Sequence, residues 1–180
     1  MENLRGALLM ILSMAGFAAE DAFVKTVTQT LPMGQVLIYL GAGGGLAFAL
    51  LATRAGYCAW SRRFWHPMVL LRNGGEIVGT AAYVTSIALL PLSLATTLLQ
   101  ANPLFVTLGA IVFFGERVGW RRWIALAVGL AGVLLILRPG AESFRPEALI
   151  GILAAAALAL RDLATRHDRS GAHPLQLAAW

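Results

Sequence analysis

Long apolar stretches alternate along the chain with short segments that contain polar residues, proline or glycine. A helix crosses the hydrocarbon core of a bilayer with about 20 predominantly apolar residues. Six stretches approach or exceed this length, and they are residues 6–24, 33–53, 68–89, 92–114, 123–137 and 148–164. A seventh begins at Pro174. The pattern predicts an all-α membrane protein, a polytopic bundle of transmembrane helices with six spans and the start of a seventh.

Proline marks the predicted boundaries of several spans. Pro32 opens the second, Pro91 separates the third from the fourth, and Pro139-Gly140 ends the fifth. Proline has no backbone N–H and its ring clashes with the preceding helical turn. Pro103 lies inside the fourth span, so we expect a helix break there that leaves a nearby carbonyl unpaired.

The first apolar stretch has an alternative interpretation as a cleaved signal peptide. Arg5 supplies a weakly basic start, and the small residues Gly16 and Ala18 lie at the spacing of a cleavage site. Glu20 and Asp21 nevertheless continue the same helical pattern toward Lys25. The preferred interpretation is a membrane span that belongs to the fold.

Composition agrees with a membrane protein. The mean hydropathy is +0.73, 58% of residues are hydrophobic and 13% are charged, whereas soluble domains are about one quarter charged. The net charge of +5 is spread between the apolar stretches, which is not typical of a nucleic-acid-binding face. One cysteine and three scattered histidines predict neither an intrachain disulfide nor a metal site, and no cofactor is expected.

The basic residues predict an orientation, because cytoplasmic loops carry an excess of Lys and Arg. Eleven arginines fall on one predicted side: Arg5, Arg54, Arg62, Arg63, Arg72, Arg117, Arg121, Arg122, Arg161, Arg166 and Arg169. Three basic residues fall on the other: Lys25, Arg138 and Arg145. We therefore predict a multi-pass protein of the cell (inner) membrane whose N-terminus is cytoplasmic.

Polar side chains inside two predicted spans are the candidate substrate-binding residues: Arg72, Asn73, Glu76, Gln100 and Asn102. At a rise of ~1.5 Å per residue, Glu76 lies about 12 Å into the third span, and Gln100 and Asn102 lie about 12–15 Å into the fourth, near the centre of the bilayer. Intramembrane charges are costly and often functional. The alternatives are structural: an ion pair between Arg72 and Glu76, four residues apart, and hydrogen bonds between helices for the two amides.

A second group of charged residues lies at helix ends: Glu20, Asp21, Lys25 and Asp162. These are candidates for a gate or for coupling to a proton or ion. The structural alternative is a surface-anchored ion pair between Asp21 and Lys25.

Small residues recur four apart at Gly41 and Gly45 and again at Gly75 and Gly79. In lipid, helices associate through close backbone approach. These glycines are therefore predicted to form packing seams.

The segment from residue 98 to 140 resembles the signature stretch of the EamA-type drug/metabolite transporter superfamily. The matching features are Pro103, Gly115-Glu116-Arg117, Trp120 to Trp123, Gly129, Gly132 and Arg138-Pro139-Gly140. The resemblance implies a ten-helix carrier made of two five-helix halves of opposite orientation, which moves a metabolite, amino acid, nucleobase, vitamin or drug. Residues 1–140 would be the first repeat and residues 147–180 the beginning of the second, truncated within its second helix.

An internal similarity agrees with this implication. The segment 20–25 at the end of the first span is similar to the segment 161–166 at the end of the sixth, and Asp21 aligns with Asp162. An offset of five spans, an odd number, requires the copies to run in opposite directions, as in many secondary transporters. Chance agreement of two polar helix ends is the alternative.

Three functions are open at this point. The first is a secondary carrier of a small polar molecule, which would act by alternating access with a lipid bilayer, a substrate and a coupling proton or ion as partners. The second, a membrane enzyme, is disfavoured because no zinc-protease, nucleophile-elbow or Walker motif occurs. The third is a non-transporting fragment or scaffold that needs a homodimer partner or a complementing half. No nucleic-acid partner is expected.

The predicted topology can be tested by cysteine accessibility. In a Cys58→Ser background, cysteines introduced at Ser61 and Ser143 should react with a membrane-impermeant reagent from opposite sides. Reaction of both from the same side would contradict the six-span topology.

Overall fold

The computed structural model describes residues 2–58, 60–116, 119–137 and 145–180. Within these ranges the chain is helical and contains no β-strand. The helices are α1 Glu2–Val27, α2 Met33–Arg54, a 3₁₀ helix Arg62–Trp65, α3 Pro67–Leu89, α4 Leu92–Leu99, α5 Asn102–Phe114, α6 Trp120–Leu137, α7 Ala148–Arg166 and α8 Pro174–Ala179. The predicted turn at Pro139-Gly140 and the side chains of Arg5, Arg117 and Arg138 lie outside the described part.

The helices confirm an all-α fold with several segments suited to a membrane. Four segments of the described chain are long and apolar enough to cross a bilayer: Gly6–Val27, Met33–Arg54, Leu92–Phe114 and Ala148–Arg166. Helices α3 and α6 occupy the third and fifth predicted spans but are not among these four segments. The count of six spans and the inverted repeat stay predictions.

The fourth predicted span is two helices rather than one. Helix α4 ends at Leu99, Gln100 and Ala101 form a turn, and α5 begins at Asn102. Pro103 is in the first turn of α5, where the missing N–H has no intrahelical partner to lose. The interruption therefore precedes Pro103 by two to three residues, because proline is tolerated at a helix start and restricts the residue before it.

The most extensive helix contact in the described structure joins α3 to α7. A Cβ added to Gly75 would lie 2.9 Å from the carbonyl oxygen of Ala157, and one added to Gly79 would lie 2.7 Å from the Leu158 side chain. These two glycines form the predicted packing seam. For the second pair, a Cβ on Gly41 would meet no described atom within 4 Å, and one on Gly45 would lie 3.4 Å from the carbonyl oxygen of Ala179, so a seam there stays a prediction.

One end of the bundle holds the main apolar core. Its buried residues come from five helices and from the turn before α4, and they are Val24, Val36, Val84, Ile87, Leu90, Ala95, Leu98 and Ala148. Lys25 Nζ donates hydrogen bonds to the carbonyl oxygens of Ile87 at 2.7 Å and Leu90 at 2.8 Å. The predicted pair between Asp21 and Lys25 is therefore wrong, because the ammonium caps the carbonyls at the end of α3 instead.

The opposite end, which we call the basic end, brings together the 3₁₀ helix, the end of α5 and the end of α7. Arg63 Nη1 donates to the carbonyl oxygen of Gly171 at 2.6 Å, and Arg166 Nη2 lies 2.9 Å from Glu116 Oε1. His167 stacks on Phe114 with ring centroids 3.4 Å apart. The loops that were predicted to lie on the cytoplasmic side are thus neighbours at the basic end. That this end faces the cytoplasm stays a prediction.

Large apolar side chains cover the outside of α1, α2 and α6. Phe23 is 73% exposed, Ile38 66% and Val128 68%. Water would disfavour so much exposed apolar surface, whereas lipid tails or further helices would cover it at no cost.

The seam between α3 and α7 predicts different effects for two adjacent glycines. Gly75→Ala should lower the free energy of unfolding by about 1–3 kcal/mol, because the added methyl group meets backbone atoms that cannot rotate away. Gly74→Ala is the matched control, since a Cβ there meets nothing within 4 Å. Thermal unfolding in detergent measures both, and equal midpoints would contradict the seam.

Candidate functional site

A cavity of about 660 Å³ lies between α1, α3, the α4–α5 turn and α7. Its volume is in the range of small-molecule sites. The polar residues that line it are Glu20, Asp21, Glu76, Thr80, Tyr83, Thr96, Thr97, Gln100, Asn102 and Arg161. Apolar side chains such as Phe17 and Ile87 complete the wall. The cavity thus combines hydrogen-bonding groups with an apolar surround, which is the usual composition of a ligand site.

The wall between α3 and α7 is held by an interhelical ion pair. Arg161 Nη1 lies 3.1 Å from Glu76 Oε2, and Thr80 Oγ1 donates to Glu76 Oε1 at 3.2 Å. The ion pair predicted within α3 is also present but longer, with Arg72 Nη2 3.8 Å from Glu76 Oε2. Glu76 is therefore compensated chiefly by an arginine from another helix.

Asp162 connects this pair to the interruption between α4 and α5. Its Oδ1 accepts hydrogen bonds from Arg161 Nε at 2.9 Å and Nη2 at 2.8 Å. Its Oδ2 accepts from Asn102 Nδ2 at 3.0 Å. The network fixes the start of α5 against α7, and Asn102 makes an interhelical hydrogen bond of the kind that the sequence alternative predicts.

Arg72 and Asn73 lie beside the cavity wall. Arg72 Nη1 donates to Asn73 Oδ1 at 2.9 Å, and Asn73 is 7% exposed. The amide nitrogen of Asn73 is buried without a hydrogen-bond partner among the described residues. Of the five predicted substrate-binding residues, Glu76, Gln100 and Asn102 are brought to the cavity, whereas these two are not among its lining residues.

Helix α1 contributes the opposite wall. Tyr83 Oη donates to Asp21 Oδ2 at 2.8 Å, which joins α1 to α3. Glu20 lines the same wall. Phe17, Asp21 and Val24 follow the spacing of one helix face and all line the cavity.

Two functional candidates escaped the sequence analysis. Arg161 was assigned to the basic surface, yet its side chain is 29% exposed and lines the cavity. Its position beside Asp162 in an otherwise apolar helix was a usable signal. Tyr83 lies seven residues after Glu76, with Thr80 between them, so the helical period places all three on one face of α3.

A second, smaller cavity of about 250 Å³ lies between α5 and α7. Its lining is apolar and includes Phe105, Val112 and Leu163. It offers no side-chain hydrogen-bonding group for a polar ligand, so the larger cavity is the candidate site.

Comparisons with known proteins place the chain among transporters. The family model described as "EamA-like transporter family" matches residues 4–138. The pseudopaline exporter of Pseudomonas aeruginosa is 34% identical over 168 residues, which cover 90% of this chain and 58% of the exporter. The riboflavin transporter of Rhizobium johnstonii is 31% identical over 178 residues, covering 97% of this chain and 58% of that protein.

Other relatives match a shorter part. The S-adenosylmethionine uptake transporter of Rickettsia bellii is 34% identical over 103 residues, covering 57% of this chain and 34% of that transporter. The chain spans 58% of the length of the exporter and of the riboflavin transporter. No solved structure matches the chain significantly. From the extent of the family match, the chain is a multi-pass membrane protein and belongs to the EamA-like transporter family.

Proposed function

We propose that the complete protein is a secondary transporter that moves a small polar metabolite or drug across the cell membrane. The observation that carries this proposal is the cavity of about 660 Å³, whose polar wall lies between helices that are apolar elsewhere. Polar groups inside a membrane bundle are costly unless they bind each other or a ligand. A cavity of this size beside them gives a ligand room to bind.

The proposed mechanism is alternating access around this cavity. The sequence similarity pairs Glu20-Asp21 on α1 with Arg161-Asp162 on α7. Asp21 accepts a hydrogen bond from Tyr83, and Arg161 forms an ion pair with Glu76. Each of the two similar segments therefore contacts α3 at the cavity. This arrangement supports a first repeat over residues 1–140 and a second that begins near residue 147, with the substrate held between them.

The direction of transport is left open, and coupling to a proton or ion is proposed without naming the ion. The relatives include a protein named as an exporter and others named as uptake transporters, so the proposal commits to transport without choosing a direction. Glu20, Asp21 and Asp162 are proposed to take part in coupling to a proton or ion. Lys25, which caps α3, is proposed to hold the end of the cavity that lies away from the basic end.

A second candidate is a helix assembly that works only with a complementing set of helices. The exposed apolar faces of α1 and α2 support it, because further helices would cover them. The partner would be a homodimer mate or the remaining helices of a longer protein. Transport by residues 1–180 alone in proteoliposomes would contradict it.

Substitution of the cavity wall tests the transport proposal. In the complete protein, Glu76→Gln should reduce uptake or efflux about tenfold or more, because it removes a charge-assisted interaction of about 1.5–3 kcal/mol. Gln100→Ala should reduce transport several-fold, because the substrate would lose one neutral hydrogen bond to the side-chain amide. Cells that express each variant are assayed with amino acids, vitamins and nucleobases, and membrane insertion is measured in parallel.

The matched controls are Glu116→Gln, whose carboxylate pairs with Arg166 at the basic end, and Gln29→Ala, which is exposed after α1. Both should transport normally. Unchanged transport by both cavity variants would remove Glu76 and Gln100 from the site.

A further inference from the structure

The charges around the cavity are unequally compensated. Glu76 and Arg161 neutralise each other across the α3–α7 wall, and Arg161 is also held by Asp162. Within salt-bridge distance of Glu20 or Asp21, the described part of the chain offers no cation. The α1 wall therefore carries two carboxyl groups without a cationic partner: Asp21 accepts a hydrogen bond from the neutral phenol of Tyr83, and Glu20 lines the cavity beside it.

The nearest basic side chain on α1 is engaged elsewhere. Lys25 is one turn beyond Asp21, but its ammonium donates to the carbonyl oxygens of Ile87 and Leu90. Those bonds cap the end of α3 and hold the charge away from the cavity. Lys25 is also not among the lining residues.

The Asn102 side chain on the far wall also contains an oxygen without a hydrogen-bond partner in the described structure. The amide orientation of Asn102 is fixed, because Asp162 Oδ2 is a carboxylate oxygen and can only accept from Nδ2. Asn102 Oδ1 is therefore an acceptor, and it is buried with no donor in the described structure. A buried acceptor without a partner costs about 1–3 kcal/mol, and because the atom has almost no accessible surface, a ligand could donate to it only if neighbouring side chains moved.

We propose that the cavity selects a small organic cation, a molecule with a protonated amine or similar positive group beside an apolar body. The inference rests on the proposed transport function and names the substrate class of the same site. The positive group would bind Glu20 and Asp21, and Phe17 on the same face of α1 offers an aromatic ring for cation–π contact. The apolar body would lie against side chains such as Ile87 and Leu158.

Three probes of matched size and different charge test this inference: 2-phenylethylamine, which is cationic, 2-phenylethanol, which is neutral, and phenylacetate, which is anionic. Binding to the purified full-length protein is measured by the shift in its thermal unfolding, and transport is measured in proteoliposomes. The amine should bind about tenfold or more tightly than the other two, which corresponds to one charge-assisted contact.

Variants locate the preference. Glu20→Gln and Asp21→Asn should each weaken amine binding several-fold and leave 2-phenylethanol unaffected, whereas Glu116→Gln should change neither. Preference for phenylacetate or 2-phenylethanol would overturn the inference. An equal loss for all probes in the Glu20 and Asp21 variants would also overturn it, because these carboxylates would then serve coupling alone and would not recognise the positive group of the substrate.

The two proposals fail in different ways. Amine binding without transport of any probe would support the cation site and count against the carrier. Transport of the neutral or anionic probe with no preference for the amine would support the carrier and overturn the cation site. Absence of binding for all three probes would overturn the cation site, whereas the proposed function is tested separately by the Glu76 and Gln100 variants with amino acids, vitamins and nucleobases.

Discussion

The close approach of α3 to α7 is the contact on which the described structure depends. Gly75 and Gly79 have no side chain, so the two backbones lie near enough for a Cβ to meet α7 atoms at 2.9 and 2.7 Å. This proximity brings Arg161 within 3.1 Å of Glu76. In lipid, dispersion and polar contacts replace the hydrophobic effect as the force between helices. The glycine seam therefore brings the two charges close enough to pair, and the ion pair in turn stabilises the close approach of the two helices.

The cavity follows from this contact and from the interrupted helix. Helix α4 ends at Leu99 and α5 begins at Asn102, and Gln100 in the turn between them lines the cavity. Asn102 is then tied to Asp162 on α7. Non-helical backbone is tolerated at membrane depth only where protein or a polar cavity surrounds it. The interruption and the polar wall thus occur together for one physical reason, and the same wall is where a ligand is proposed to bind.

Particular residues show how far the sequence could lead. The rarity of charge in a span was sufficient to single out Glu76. The spacing of Glu76, Thr80 and Tyr83 places all three on one helix face, a signal that the sequence prediction did not use. Arg161 was misassigned because a positive residue near a helix end has the same pattern whether it anchors at the surface or turns inward. Lys25 was paired with Asp21 for a similar reason: spacing of four permits a pair, but the carbonyls at the end of α3 compete for the ammonium.

The sequence by itself determined the helical character, the membrane class and the family, because these depend on the length, periodicity and order of apolar stretches and motifs. Only the tertiary structure decided which charges meet, since residues as distant as Glu76 and Arg161 become neighbours through helix packing. It also decided which groups remain uncompensated, such as Glu20 and the carbonyl oxygen of the Asn102 side chain. Which side chains pair depends on how closely two helices approach, and the order of residues along the chain does not specify the distance between the helices.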